Sequence, residues 1–328
     1  MDAQERPALE MLWEAHDPAR VLERRFGFES AADVAEWVRA MLRRHWGIDV
    51  DVCERVVMSD RNALAWVRVG RSRMVLKWTG ADERFERLRA LAALVHWLAA
   101  RGVPVSAPVP AADGSLQVET EGVSMGLQHE VAGRLLDAED PAQVVAAGRA
   151  LALLHAELRD ARAVTSAFGD EPAPLPARLA GWLDAAPGHL DPVAVALLER
   201  CRSLATPGLS TQLVHGDVRA ANVLCSEDGI AAFLDFEDAR IDDRIVELAR
   251  TAVLLGTRFH HWGPVGSDTH KALLQGYESV AGLTAAERQW WPVLLLWTTL
   301  AFVPPGHDST GWTDAAAALR DRLAAQLQ

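Results

Sequence analysis

Three polar side chains at fixed spacing carry the chemistry open to this chain. Residues 213–239 read LVHGDVRAANVLCSEDGIAAFLDFEDA: an apolar start, a polar loop from His215 to Asn222, a strand at 223–224, a turn at Glu227-Asp228-Gly229, and a second strand at 231–234 that ends at Asp235. Asp217, Asn222 and Asp235 then fall at the strand ends of one hairpin. A carboxylate five residues before an amide, with another carboxylate thirteen further on, is a set suited to Mg-nucleotide phosphoryl transfer. Asp217 accepts a hydroxyl proton, and Asn222 and Asp235 supply hard oxygen ligands to Mg²⁺.

The protein-kinase signatures H-R-D-L-x-x-x-N and D-F-G share this order and logic, with Gly216 here in place of Arg and Glu237 in place of the Gly. HGD, four residues, Asn, then an apolar strand ending in Asp-Phe resembles the aminoglycoside phosphotransferase superfamily, which includes homoserine, choline and sugar kinases. The resemblance spans residues from about 50 to 310. It implies an α+β, two-lobed protein-kinase-like fold, with a β-rich N-lobe (1–131) carrying extra N-terminal helices and a mainly helical C-lobe (132–328). It also implies ATP as the nucleotide, with GTP as the alternative, and Mg²⁺. Under it His215 is an architectural residue that holds the loop, although its ordinary pKa also suits proton transfer. Arg219 occupies the slot where protein kinases place a lysine facing the γ-phosphate, so it either neutralises charge on the phosphoryl group or is a surface arginine. Glu247 stands where the family often has the Asp of Asp-Leu-Ala, an acid that braces the loop.

The elements around this centre are read from periodicity. Residues 1–47 show helical spacing, with Ser30 and Asp33 marking a helix start and Gly47 a stop. Residues 50–78 turn to strand character, with Gly70-Arg71-Ser72 as a hairpin turn. The family's phosphate-covering turn falls at Met58-Ser59-Asp60-Arg61-Asn62, which lacks glycine; Ser59 and Asn62 are the phosphate-facing candidates. Lys77, between apolar strand residues, resembles the kinase lysine of the α- and β-phosphates, the alternative being a snorkelling surface lysine. A helix follows over 82–100. The slot for the lysine's usual glutamate partner falls near Leu91, leaving Glu86 and Glu83 one to two turns earlier. Gln128-His129-Glu130-Val131-Ala132-Gly133 resembles the hinge that holds adenine by backbone groups, with Gln128 and Glu130 at its centre. His155, in the helix 142–158, reads as structural.

The chain has 328 residues, 50% of them apolar, with a net charge of −12. That suits a soluble protein of two lobes and argues against a nucleic-acid-tracking surface. Cys53, Cys201 and Cys225 are widely spaced and lack a CxxC pair, which speaks against a disulfide framework or zinc site. MDAQERPALE has no signal-peptide pattern, and the longest apolar run, 293–303, is too short to span a bilayer. A cytoplasmic enzyme without nucleic-acid or membrane partners is expected; the oligomeric state is not readable.

The acceptor is written more faintly. Glu237, Asp238, Asp242 and Asp243 form an acidic run, which suits either a cationic acceptor or a solvated loop interleaved with Arg240 and Arg244. Trp262, Trp290, Trp291, Trp297 and Trp312 in the C-terminal third line a pocket or fill a core. The resemblance favours an amino-sugar or nucleoside-type antibiotic, as in a resistance or self-protection enzyme. Its alternatives are a metabolic kinase of homoserine, an amino alcohol or a sugar, and a nucleotide-binding pseudokinase.

Overall fold

The computed structural model describes residues 6–161 and 167–327. The chain divides into two compact units, Met1–Ala132 and Gly133–Gln328. In the first, β1 (Ala8–Met11), α1 (Pro18–Phe26), α2 (Ala31–Trp46), β2 (Val52–Met58), β3 (Ala63–Val69), β4 (Ser72–Thr79), α3 (Phe85–Ala100), β5 (Val118–Thr120) and β6 (Val123–His129) follow in order. The strands form one sheet in the order β1-β2-β3-β4-β6-β5, antiparallel except for β1 on β2. Strict alternation buries Ala63, Ala65 and Val67 on one face, as a half-buried strand requires. Gly70, at φ 58°, permits the two-residue turn that pairs Val69 with Ser72. Helix α2 is capped by the Ser30 side chain and stopped by left-handed Gly47. Its Val34, Val38, Met41, Leu42 and Trp46 join the sheet residues in one buried core.

Two expectations need correction. The first 47 residues are not wholly helical: residues 8–11 form β1, registered Leu9 to Val56. Four residues are too few to show a period, and pairing with β2 decides their state. The helix expected over 82–100 begins instead with a 3₁₀ turn at Asp82–Arg84, and α3 proper runs Phe85–Ala100. Leu91 is buried on it and Glu86 is exposed in its first turn.

The second unit contains β7 (Arg134–Leu135), α4 (Pro141–Asp160), α5 (Leu175–Asp184), α6 (Pro192–Arg200), β8 (Thr211–Val214), β9 (Val223–Ser226), β10 (Gly229–Phe233), β11 (Arg240–Asp243), α7 (Arg244–Leu254), α8 (Ser267–Glu278), α9 (Ala285–Leu300) and α10 (Trp312–Gln326). Two small sheets, β10-β9-β7 and β11-β8, sit among these helices. Helices α4 and α8 cross so closely that a methyl group on Gly148 would strike the Leu273 carbonyl, and one on Gly276 the Val145 carbonyl. That crossing brings His155 of α4 to Tyr277 of α8. Trp290 and Trp312 are core residues, their indole N–H groups donating to the carbonyls of Ala205 (3.1 Å) and Trp262 (2.8 Å). Trp262 remains 41% exposed. Among the described residues no helix is long and apolar enough to cross a membrane.

Candidate active site

Strand β8 delivers the chain into the loop 215–222, and pairing of Val214 with Arg240 ties its entry to β11. The exit is tied as tightly: Asn222 opens β9, and the Leu234 N–H donates to its carbonyl at 2.9 Å. His215 is fully buried. Its Nε2 lies 2.9 Å from the Leu234 carbonyl and so carries the hydrogen, leaving Nδ1 to accept from the Asp217 N–H at 3.3 Å. Both ring nitrogens thus serve the backbone. Gly216 has φ 89°, and any side chain there would run into the Asp238 carbonyl and the Arg240 guanidinium, so only glycine fits.

A buried carboxylate holds the loop from behind. Glu247, in the first turn of α7, accepts the N–H groups of His215 (3.1 Å) and Gly216, and its Oε2 lies 2.7 Å from His155 Nε2. His155 Nδ1 in turn meets the Tyr277 hydroxyl at 2.8 Å. Burial pushes the Glu247 carboxyl up. The hydrogen bond and charge of His155 and the Gly216 N–H outweigh it, so its pKa falls from 4.5 to about 2.

Asp217 is oriented on one oxygen. Its Oδ2 accepts from Arg219 Nε at 2.9 Å and Asn222 Nδ2 at 2.8 Å. Asn222 Nδ2 also donates to the Asp217 carbonyl at 2.9 Å, which turns the amide oxygen of Asn222 away as a free acceptor. Asp217 Oδ1 has Arg250 Nη2 at 3.8 Å, beyond hydrogen-bond length. Arg219 is largely buried, lies 5.1 Å from the Trp262 ring and leaves Nη1 buried without a partner. Asp235 is exposed and holds a left-handed backbone, φ 60° and ψ 73°, a strained state for a non-glycine residue of the kind that clusters at functional sites. Phe236 packs its ring 4.2 Å from that of His215.

The acidic run separates into two fates. Glu237 is half-buried and Asp238 exposed in a 3₁₀ turn, Phe236–Asp238. Asp242 and Asp243 are not solvated, as a loop would leave them. They lie in β11 at 2% and 5% exposure, Asp242 gripped by Arg178 (2.7 Å) and Asp243 accepting from Thr211 (2.8 Å). Burial raises the Asp243 pKa. Sequence reasoning missed Arg250 altogether and underrated His155, which is buried and bonds the brace of the loop. Its place beside Glu247 depends on the α4–α8 crossing; only the paired interior glycines hint at that contact.

In the first unit, Lys77 lies on β4 between Leu64 of β3 and Gly126 of β6, on the face opposite buried Leu76 and Trp78. The Ser59 hydroxyl points into its own turn. It donates to the Asn62 carbonyl (3.3 Å) and accepts the Asn62 N–H (3.2 Å), and the residue is 2% exposed. Arg25 of α1 donates to the Ser59 carbonyl at 3.0 Å and pairs with Glu14 at 2.6 Å, so residues before β2 brace the turn. Gln128 pairs with Val75 in the sheet. The Glu130 N–H donates to the Arg73 carbonyl at 3.0 Å, and its carboxylate lies 3.5 Å from the Arg73 guanidinium. The Ser106 hydroxyl donates to the His129 carbonyl at 2.8 Å, so the backbone of this segment is largely engaged within the first unit.

Known proteins of similar sequence and fold are kinases and phosphotransferases. The chain is 30% identical over 239 residues to a homoserine kinase of Methylobacillus glycogenes, covering 71% of this chain and 72% of that one. It is 28% identical to a homoserine kinase of Sinorhizobium medicae, covering 64% of each. The fold of a macrolide 2'-phosphotransferase from Brachybacterium faecium superposes with a TM-score of 0.59 at 18% identity, over 89% of this chain and 97% of that structure. The pattern of the phosphotransferase enzyme family matches residues 58–290. The chain belongs to that family, as a small-molecule kinase whose acceptor is a hydroxyl.

Proposed function

We propose that this chain transfers the γ-phosphoryl group of ATP to a hydroxyl of a small metabolite, with Mg²⁺ on the nucleotide. The observation that carries the reading is the state of Asp217: one carboxylate oxygen engaged by Arg219 and Asn222, the other without a hydrogen bond among the described residues, with Arg250 at 3.8 Å. The acceptor O–H donates to Oδ1. As its oxygen bonds to the γ-phosphorus and the bond to the bridging oxygen breaks, the proton passes to Asp217 and ADP departs. Arg219, with Nη1 unengaged, suits the charge on the transferred oxygens.

The free amide oxygen of Asn222 and the Asp235 carboxylate would hold the metal. Among the described residues no cluster of three His, Cys, Asp or Glu side chains forms a complete cage. Two hard oxygen donors fit Mg²⁺, which keeps waters and substrate phosphates as its other ligands. When bound, the ion offsets charge on the phosphate oxygens. Lys77, Asn62 and the turn closed by Ser59 are the first unit's candidates for the nucleotide phosphates, and the backbone around Gln128 is its candidate for the base.

A metabolite is preferred to an antibiotic because the curated relatives aligned by sequence are homoserine kinases, whereas the macrolide enzyme shares the fold alone. An ATP-consumption screen over homoserine, choline, amino alcohols, hexosamines, aminoglycosides and macrolides tests this. Turnover of metabolites is expected. Turnover confined to antibiotics would make this a resistance enzyme, and nucleotide-dependent thermal stabilisation without any transfer would make it a binding module.

A further inference from the structure

Because Asp217 Oδ2 already accepts two hydrogen bonds, an acceptor hydroxyl has Oδ1 to dock against. The Arg250 guanidinium lies 3.8 Å from Oδ1. Arg250 projects from the second turn of α7, is 35% exposed, and makes no hydrogen bond among the described residues. Burial draws its pKa down, and the nearby Asp217 and Asp238 only partly offset this, with Arg240 and Arg219 acting against them. The other two guanidiniums each hold a hydrogen-bond partner, through Nε in both. Arg219 holds Asp217 and lies over Trp262. Arg240 donates to Asp242 (3.1 Å) and to the carbonyls of Gly216 and Asp238 (3.4 Å each), and Asp242 is also matched by Arg178. The acceptor side of Asp217 therefore carries a guanidinium that is paired only loosely, with Asp217 Oδ1 itself at 3.8 Å, although the whole chain is acidic.

We propose that Arg250 anchors an anionic group of the acceptor, a carboxylate within a few bonds of the phosphorylated hydroxyl. A guanidinium binds a carboxylate through a planar fork of N–H donors. The hydroxyl and carboxylate of one small molecule then span Asp217 Oδ1 and Arg250. A protonated amine in the same place would face the Arg250 guanidinium, with Arg219 on the other Asp217 oxygen, so this reading replaces the cationic acceptor that Glu237 and Asp238 suggested. The inference rests on the phosphotransferase reading of Asp217 and deepens it. Arg250 sets specificity; it takes no proton and does not touch the phosphoryl group.

The test uses the full chain with Mg²⁺ and matched acceptors: hydroxy acids of three to six carbons, homoserine included, each against its carboxamide and against the amino alcohol that lacks the carboxylate. Binding is measured calorimetrically in the presence of a non-hydrolysable ATP analogue, and transfer by ADP release. At least one hydroxy acid should bind tenfold or more tightly than both its partners, with the same preference in kcat/KM. Arg250→Gln should erase the preference, raising the acceptor KM tenfold or more while the ATP KM stays within about twofold. Arg250→Lys, which keeps the charge, should restore part of it and guards against a folding defect in the first variant. Equal binding of acid and amide, a preference for the amino alcohol, or an equal loss for all acceptors in Arg250→Gln would overturn the anion anchor. Selective acid binding without any ADP release would instead sink the phosphotransferase reading and leave the anchor standing.

Discussion

The turns at residues 215–222 and 58–62 are each proposed to meet phosphate chemistry, and they are held in opposite ways. The first is fixed from inside. Its backbone N–H groups run to a fully buried carboxylate, Glu247, which is itself held by His155. The second closes on its own Ser59 hydroxyl and is braced by the buried Thr79 of β4, whose hydroxyl donates to the Arg61 carbonyl at 2.7 Å, and by the exposed Arg25 of a preceding helix. Buried charge tolerates little loss of a partner, whereas a partly exposed contact costs little to remove. The loop proposed to place a proton acceptor is thus held by buried charge, and the turn proposed to meet the nucleotide phosphates is held by neutral hydroxyls and an exposed arginine.

That contrast can be broken at graded strength. Asp217→Ala should lower kcat on the order of 10²–10⁴-fold, the usual worth of a positioned base, while leaving Mg-ATP affinity nearly unchanged by calorimetry. Full turnover in that variant would remove Asp217 from the mechanism. Glu247→Ala strands His155 and two loop N–H groups, and should cost about 3–5 kcal/mol in denaturant unfolding, with activity lost alongside. Glu247 also fixes an acid limb. With a native pKa of about 2 against an ordinary 4.5, its contribution is complete above pH 4.5 and is lost as pH falls from there toward 2. Melting temperatures in that window should fall for the native chain and fall less for Glu247→Gln.

Gly216→Ala must push back the Asp238 carbonyl and hold alanine at positive φ, which should cost about 1–3 kcal/mol and reduce kcat with it. Arg25→Ala sits at the small end. Losing its bond to the Ser59 carbonyl should cost about 1 kcal/mol and raise the ATP KM a few-fold without touching kcat. A drop in kcat as large as that of Gly216→Ala would mean the 58–62 turn is as rigid as the catalytic loop.

Much of the local architecture was legible because its signals lie within one or two turns of chain. Ser30 and Gly47 bound α2, Gly70 makes the β3–β4 turn, and the hairpin carrying Asn222 and Asp235 follows from two short apolar runs around Asp228-Gly229. Strand β1 was not legible, since four residues take their conformation from the edge of β2. The acidic run was misread for a related reason. Asp242 and Asp243 look like Glu237 and Asp238 in sequence, but pairing of β11 with β8 buries them against Arg178 and Thr211.

The sequence by itself pointed to a phosphotransferase. Asp217, Asn222 and Asp235 lie within nineteen residues, and the β9–β10 hairpin sets Asn222 and Asp235 just beyond its paired strand ends. Tertiary structure alone decided what else surrounds Asp217: His155 and Tyr277, from two helices crossing at glycines, behind the expected Glu247, and Arg250 beside Oδ1. A carboxylate responds to charges by their distance through space and their shielding from water, and neither quantity is written in the separation of residues along the chain.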